Sequence, residues 1–280
     1  MPEKSIRLQL KEEFSLLHTY ECGQAFRWKK QVDGSYSGVV EEMLANISLH
    51  DDELEVRGAG VQTNKDFWIE YLDLKRDYGK LMQDFSVLDC HMKSAIEFSR
   101  GMHLLKQPFF EVLISFIISQ NNNVPRISGL IERISKECGT EVGDELFAFP
   151  TPEQLNRLKE ADFARLGAGY RAAYLEKITQ LYMDGKVNAK ELEAAGFHHA
   201  RNELIALPGI GPKVADCVLL FSGIHYEAFP SDVWVKRIMQ ECYGVGDSTG
   251  IYHFAQDYFG KYAGIAQQYL FHYVRKNWAK

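Results

Sequence analysis

The chain has 280 residues, of which 46% are apolar, 12% aromatic and 25% charged. That is length for one large domain or two intimate ones, and it excludes a disordered tail or a disulfide scaffold. Thirty-two Lys and Arg against 38 Asp and Glu leave a net charge of −6, so any nucleic-acid site must rest on local geometry and a few placed cations rather than on bulk charge.

Residues Met1 to Ser5 lead into no apolar segment of signal-peptide type. Ile6, Leu8 and Leu10 then alternate with polar neighbours, and the same period returns in Tyr36 to Val40, Leu44 to Leu49 and Leu54 to Val56. Asp33-Gly34 and Asp51-Asp52 stand between these runs as turn residues should, which predicts an antiparallel, meandering sheet. From about Phe67 the period becomes helical. Ile114, Ile117 and Ile118 are followed by Ile127, Leu130, Ile131 and Ile134, then Leu155-Leu158, Leu175-Ile178-Leu181 and Val214-Val218-Phe221. Short breaks fall at Gly139 to Gly143, Pro150 to Pro152, Gly167 to Gly169, Gly196, Pro208 to Pro212, Pro230 and Gly244 to Gly250, with no repeat and no long linker. The fold class expected is α+β: an antiparallel sheet domain over 1–80, packed on a helical region over 81–280 whose two subdomains flank a cleft. The densest apolar run, Phe109 to Ser119, is short and broken by Glu111, so no membrane segment is expected. Cys22, Cys90, Cys138, Cys217 and Cys242 are odd in number and never spaced C-x-x-C, which points to a reducing, intracellular compartment and away from a zinc site.

The most informative stretch runs from Leu207 to Cys217, Leu-Pro-Gly-Ile-Gly-Pro-Lys-Val-Ala-Asp-Cys, between helical runs at Arg201 to Ala206 and Lys213 to Phe221. This is a helix-hairpin-helix over about 201–221. Gly209 and Gly211 allow close backbone approach, and the amides exposed there can hold a phosphate without reading sequence, although Gly-Ile-Gly alone suits any corner between helices. Lys213 sits in the first turn of the second helix, where the positive dipole end disfavours a further positive charge. It is a candidate amine nucleophile, or an ordinary solvated lysine. Cys217 lies four residues on, on the same face, and Asp232 opens a further helix as a cap, a catalytic carboxylate, or both.

Gly23-Gln-Ala-Phe-Arg-Trp28, Ser119-Gln-Asn-Asn-Asn-Val-Pro-Arg-Ile127, Leu166-Gly-Ala-Gly-Tyr-Arg-Ala172, Leu207 to Cys217 and Ala263-Gly-Ile-Ala-Gln267 resemble, in order and across nearly the whole chain, the segments of bifunctional 8-oxoguanine DNA glycosylases of the helix-hairpin-helix superfamily. The resemblance implies a base-excision repair enzyme with AP-lyase activity that extrudes 8-oxoguanine from double-stranded DNA, preferably opposite cytosine. Lys213 would attack the sugar C1′ and leave an imine that permits β-elimination, with Asp232 stabilising the cationic sugar. Gln267 would bond the Watson–Crick edge of the flipped base, Phe271 and Cys217 would sandwich it, and the Gly23 carbonyl would accept its N7 proton. Tyr170 resembles the family's wedge, while Asn121, Arg126 and Arg171 resemble the residues that hold the estranged cytosine; local capping and core packing are the plain alternatives. Carbonyls of Ile205, Leu207 and Ile210 resemble those that hold a structural monovalent or divalent cation, and no other cofactor is implied. The expected protein is a monomer, cytoplasmic or nucleoid-associated in a bacterium and nuclear in a eukaryote.

Trp234 stands two residues after Asp232, a departure from the resemblance, which has His there in many relatives, so the phosphate contact of that His is not carried over to this chain. Only Cys242 follows Cys217, so the four-cysteine iron–sulfur pattern of other glycosylase branches is absent. A glycosylase for alkylated bases, which needs no nucleophilic lysine, and a non-catalytic DNA-binding module are the rival readings.

Overall fold

The computed structural model describes residues 5–58, 65–143 and 145–278. Alternation builds the sheet: Ile6 and Leu8 of β1 (Ser5–Gln9) turn inward while their neighbours stay exposed. After helix α1 (Leu16–Glu21), strands β2 (Trp28–Lys30), β3 (Tyr36–Val40), β4 (Met43–His50) and β5 (Glu53–Arg57) form an antiparallel meander. β1 completes the order β1-β5-β4-β3-β2 by setting Ile6 opposite Val56 and Leu8 opposite Leu54. The expected turn residues do turn the chain: Gly34 and Asp51 have φ of 88° and 52°, and the Asp33 carboxylate accepts the Ser35 amide at 3.0 Å.

Two elements of this region escape the alternation. α1 is six residues long, and β2 is a three-residue edge strand whose Lys29 and Lys30 are both exposed, so neither carries a readable period. Trp28 of β2 faces Gly38 in register, where an added Cβ would lie 2.6 Å from the indole; glycine there makes room for the ring. The indole N–H donates to the Tyr71 hydroxyl at 2.8 Å and ties the sheet to α2 (Lys65–Tyr71).

The helices that follow are α3 (Tyr78–Ser86), α4 (Cys90–Phe98), α5 (Phe109–Ile118), α6 (Val124–Cys138), α7 (Pro152–Leu155), α8 (Glu160–Leu166), α9 (Ala172–Met183), α10 (Ala189–Ala194), α11 (Phe197–Ile205), α12 (Pro212–Phe221), α13 (Val233–Tyr243), α14 (Ser248–Phe259) and α15 (Ala263–Asn277). The break at Gly139 to Gly143 proves to hold a small ribbon, β6 (Glu141–Gly143) paired with β7 (Leu146–Phe147). The helical spacing of Leu155 and Leu158 is local only, since α7 stops at Leu155 and Asn156 caps it. Two cores result. The sheet closes on Trp68, Tyr71, Leu72 and Leu105, and a larger helical core centres on α5, buried from Val112 to Ile118, and α12, buried from Val214 to Phe221. Among the described residues no helix is long and apolar enough to cross a membrane.

An ion pair locks α11 to α12: Arg201 Nε and Nη2 donate to the two Asp216 carboxylate oxygens at 2.6 and 3.2 Å, with Asp216 buried. Arg201→Ala strands that carboxylate and should cost roughly 3–5 kcal/mol in urea unfolding. Lys80→Ala removes only the exposed partner of Asp84 and should cost less than about 1 kcal/mol. Burial also holds two histidines neutral, pushing His103 down to about 4 and His272 to about 3 from the ordinary 6.5. The unfolded chain binds those protons near 6.5 and the folded one does not, so their stabilisation is full above that pH and erodes as pH falls toward the folded values. His272→Asn should therefore lose less stability than wild type between pH 7 and pH 4, read from unfolding midpoints at each pH.

Candidate active site

The hairpin is tighter than its composition alone implies. Gly209 has φ of 78°, and an added Cβ would lie 2.5 Å from the Tyr174 ring, so both backbone conformation and space call for glycine. Gln120 Nε2 donates to the Gly209 carbonyl at 2.9 Å and to that of Ile117 at 3.1 Å, fixing the hairpin against the end of α5. Gly211 is the N-cap of α12 and Pro212 fills its first turn, which leaves the amides there without a side-chain cap. α11 starts earlier than expected, at Phe197, and Ala206 is its C-cap rather than its last turn.

Lys213 follows Pro212. Its Nζ donates to the Ser119 hydroxyl at 3.4 Å and lies 5.2 Å from the Phe116 ring centre, while Ser119 Oγ donates to the Phe116 carbonyl at 2.8 Å and so keeps its lone pairs toward the amine. Cys217 is buried one turn on, its thiol pushed up to about 11 by burial and drawn back by the charge of Lys213. Asp232 caps α13: one oxygen, Oδ1, accepts the amides of Trp234 at 3.0 Å and Val235 at 2.9 Å. Burial raises its pKa; the Val235 amide and Lys213 oppose that rise, followed by the Trp234 amide and Arg275. Lys213, Cys217 and Asp232 therefore converge, brought from two helices and within each other's fields. The Trp234 indole packs, half-buried, against the helical core.

A second group gathers at the loop after α1. Gly23 has φ of 87° and is clamped on both sides. The Cys22 carbonyl accepts Gln268 Nε2 at 3.0 Å, and the Gln24 carbonyl accepts Gln107 Nε2 at 2.8 Å. The Gln24 side chain is itself buried, donating to the Thr19 and His103 carbonyls at 2.7 and 2.9 Å and accepting the Leu105 amide at 2.8 Å. Phe271 of α15 comes to 3.6 Å of where a side chain on Gly23 would begin. Gln267, one turn earlier on the same helix, is 3% exposed, and its Oε1 has no hydrogen-bond partner among the described residues. A buried amide oxygen left open in this way is a cost unless something outside the protein satisfies it.

The third group forms a rim. Asn121, at φ of 46°, donates to the Tyr170 hydroxyl at 3.3 Å, and that hydroxyl reaches the Gln120 carbonyl at 3.3 Å. Tyr170 is 55% exposed, unusual for a ring of its size with core available nearby. Arg126 is exposed in the first turn of α6, whose cap is Asn123. Arg171 differs: it is 9% exposed, with its guanidinium turned to the carbonyls of Gln120, Asn121 and Ala168, so it braces the loop that carries Asn121. At the hairpin the Leu207 carbonyl accepts the Ile210 amide at 3.2 Å. No group of three or more His, Cys, Asp or Glu is arranged for a metal among the described residues.

Residue-type reasoning passes over the glutamines. Gln24 and Gln120 lie inside the quoted segments, Gln268 beside Gln267, yet nothing in spacing says that their amides splint the two loops. Ser119 beside Lys213 and Arg275 beside Gly23 were equally silent.

The 8-oxoguanine DNA glycosylase N-terminal domain matches residues 6–113, and the HhH-GPD superfamily of base excision DNA repair proteins matches residues 114–253. N-glycosylase/DNA lyase OGG1 of Arabidopsis thaliana is 30% identical, over 92% of this chain and 77% of its own. The 8-oxoguanine glycosylase/lyase of Clostridium acetobutylicum, in complex with double-stranded DNA containing cytosine opposite 8-oxoguanine, is 37% identical with a TM-score of 0.93, covering 98% of this chain and 97% of that one. MBOgg1, in complex with a low-affinity DNA ligand, is 36% identical with a TM-score of 0.92 over 99% of both chains.

Proposed function

The chain belongs to the 8-oxoguanine DNA glycosylase/lyase branch of the HhH-GPD base-excision superfamily, and on that premise we propose that it flips 8-oxoguanine out of duplex DNA, excises it preferentially opposite cytosine, and cleaves the abasic strand through an imine at Lys213. The observation that carries this reading is the convergence of Lys213 and Asp232 at the hairpin, together with the unpartnered Gln267 Oε1 on the helix that also carries Arg275, whose charge reaches Asp232. Guanine-type bases present N1–H and N2–H donors on their Watson–Crick edge, which is what an unpartnered amide oxygen accepts.

In this reading Gly209 to Gly211 hold a phosphate on backbone amides, and Tyr170 enters the space the flipped nucleotide leaves. A monovalent cation on the carbonyls of Ile205, Leu207 and Ile210 would strengthen that phosphate grip; the set offers oxygen only, which suits a hard ion. Lys213 Nζ, oriented by Ser119, attacks C1′; the C1′–N9 bond breaks and the electron pair leaves with the base. Asp232 faces the positive charge that grows on the sugar. The amine, now bonded to C1′, gives an imine as the ring opens, and loss of a C2′ proton expels the 3′ phosphate. A glycosylase for alkylated bases would have no use for the Lys213–Ser119 contact.

Lys213→Gln should abolish both base release and the borohydride-trapped adduct while duplex binding survives, because the hairpin amides remain. Asp232→Asn should bind normally and react at least about tenfold more slowly in single turnover. Adduct formation by Lys213→Gln at the wild-type rate sinks the assignment.

Arg126, exposed and aimed outward, is the guanidinium free to meet the O2 and N3 acceptors of cytosine. Arg126→Ala should flatten the ranking of release rates from lesions opposite cytosine, adenine, guanine and thymine. Arg171→Ala should instead lower all four together by loosening Asn121. An unchanged ranking in Arg126→Ala refutes the opposite-base role.

A further inference from the structure

Gln267, Phe271 and Arg275 stand at four-residue steps on one stripe of α15. The first two belong to the pocket assigned above; the third carries a guanidinium that the reaction as described does not use. Arg275 Nη1 lies 2.7 Å from where a Cβ on Gly23 would sit, Nη2 donates to the Glu21 carbonyl at 3.3 Å, and the guanidinium carbon is 5.6 Å from the Phe271 ring centre. The cation therefore stands beside Gly23 and over the Phe271 ring. Only glycine at position 23 leaves it that place.

Resting on the lesion-pocket reading, we propose that Arg275 is a specificity-determining residue that donates a hydrogen bond to O8 of the flipped base. Eight residues along a helix rise about 12 Å, close to the length of a purine with a hydrogen bond at each end. With Gln267 on the Watson–Crick edge, Arg275 is set at the opposite, five-membered-ring side, where O8 lies and O6 does not. The Gly23 carbonyl accepts N7–H and Arg275 donates to O8, so the loop and the helix together present an acceptor and a donor to the donor and acceptor that oxidation creates. Normal guanine offers the reverse at N7 and nothing at C8. A charged donor also tells the carbonyl oxygen from a group of similar bulk that accepts poorly.

Single-turnover base release separates this from the alternatives. Duplexes carrying 8-oxoguanine and 8-thioguanine are compared, since the thione keeps N7–H and replaces O8 with a weak acceptor. Arg275→Met should slow release of 8-oxoguanine by about tenfold or more and that of 8-thioguanine by less than about threefold. Arg275→Lys, which keeps charge and a donor, should hold the ratio of the two rates nearer to wild type than Arg275→Met does. Equal losses on both bases mean that the cation acts through the field at Asp232 or through folding, and overturn the proposal, as do unchanged or faster rates in Arg275→Met or identical ratios in the two variants. No release of 8-oxoguanine by the wild-type protein would instead overturn the pocket reading itself.

Discussion

The site depends on the burial of α12. From Val214 to Phe221 every residue of this helix is enclosed by its neighbours, so the only part that can face a partner is its N-terminal end. That end collects three things that would be weak apart: uncapped amides, the positive end of the dipole, and Lys213. Because Arg201 pairs with Asp216 inside the helix pair, the hairpin cannot tilt without exposing a buried carboxylate. The fixed pairing of uncapped amides with an amine follows from that enclosure rather than from any excess of positive charge, and in the reading proposed above it is what lets a chain of net charge −6 meet an anionic polymer.

Amide side chains do for the loops what apolar packing does for the helices. Gln120 joins the end of α5 to the hairpin; Gln24, Gln107 and Gln268 pin the chain on either side of Gly23. A primary amide has donors and an acceptor at fixed spacing, so one glutamine can satisfy two backbone carbonyls and one backbone amide at once, as Gln24 does. Such a buried polar splint holds a carbonyl in place more strictly than dispersion contacts can, because moving it leaves several groups unsatisfied. The Gln267 Oε1 contrasts with these splints, since among the described residues it is a buried amide oxygen without a partner, as the buried Nδ1 of His272 on the same helix is a ring nitrogen without one.

How far the sequence reveals this arrangement follows from the range of each interaction. β1, β3, β4 and β5 were readable because their two-residue period is a property of each strand alone, and the hairpin because glycine and proline punctuate it. β2 and α1 were not: three and six residues hold too little period, and their rings pack on residues beyond their own segments, Tyr20 on Tyr36 and Trp28 on Tyr71. The positions of Lys213, Cys217 and Asp232 could be read from spacing and resemblance. Arg171 shows the limit, for a motif gives the residue but not its partners, and here the guanidinium turns to the carbonyls of Gln120 and Asn121. Arg275 shows the reverse limit, since a four-residue stripe marks a helix face without saying which loop that face meets.

Asp232 draws these strands together. As a cap it spends one oxygen on two amides, and as a buried acid it would ordinarily favour the protonated form. Capping offsets part of that rise: the amides that need the oxygen for helix α13 also stabilise it as an anion, with Lys213 and Arg275 adding positive charge. The second oxygen takes no part in the cap. In the mechanism proposed above, structural and chemical roles would thus divide between two atoms of one carboxylate, so a substitution that preserves the cap, as Asn does, changes the charge while sparing the helix.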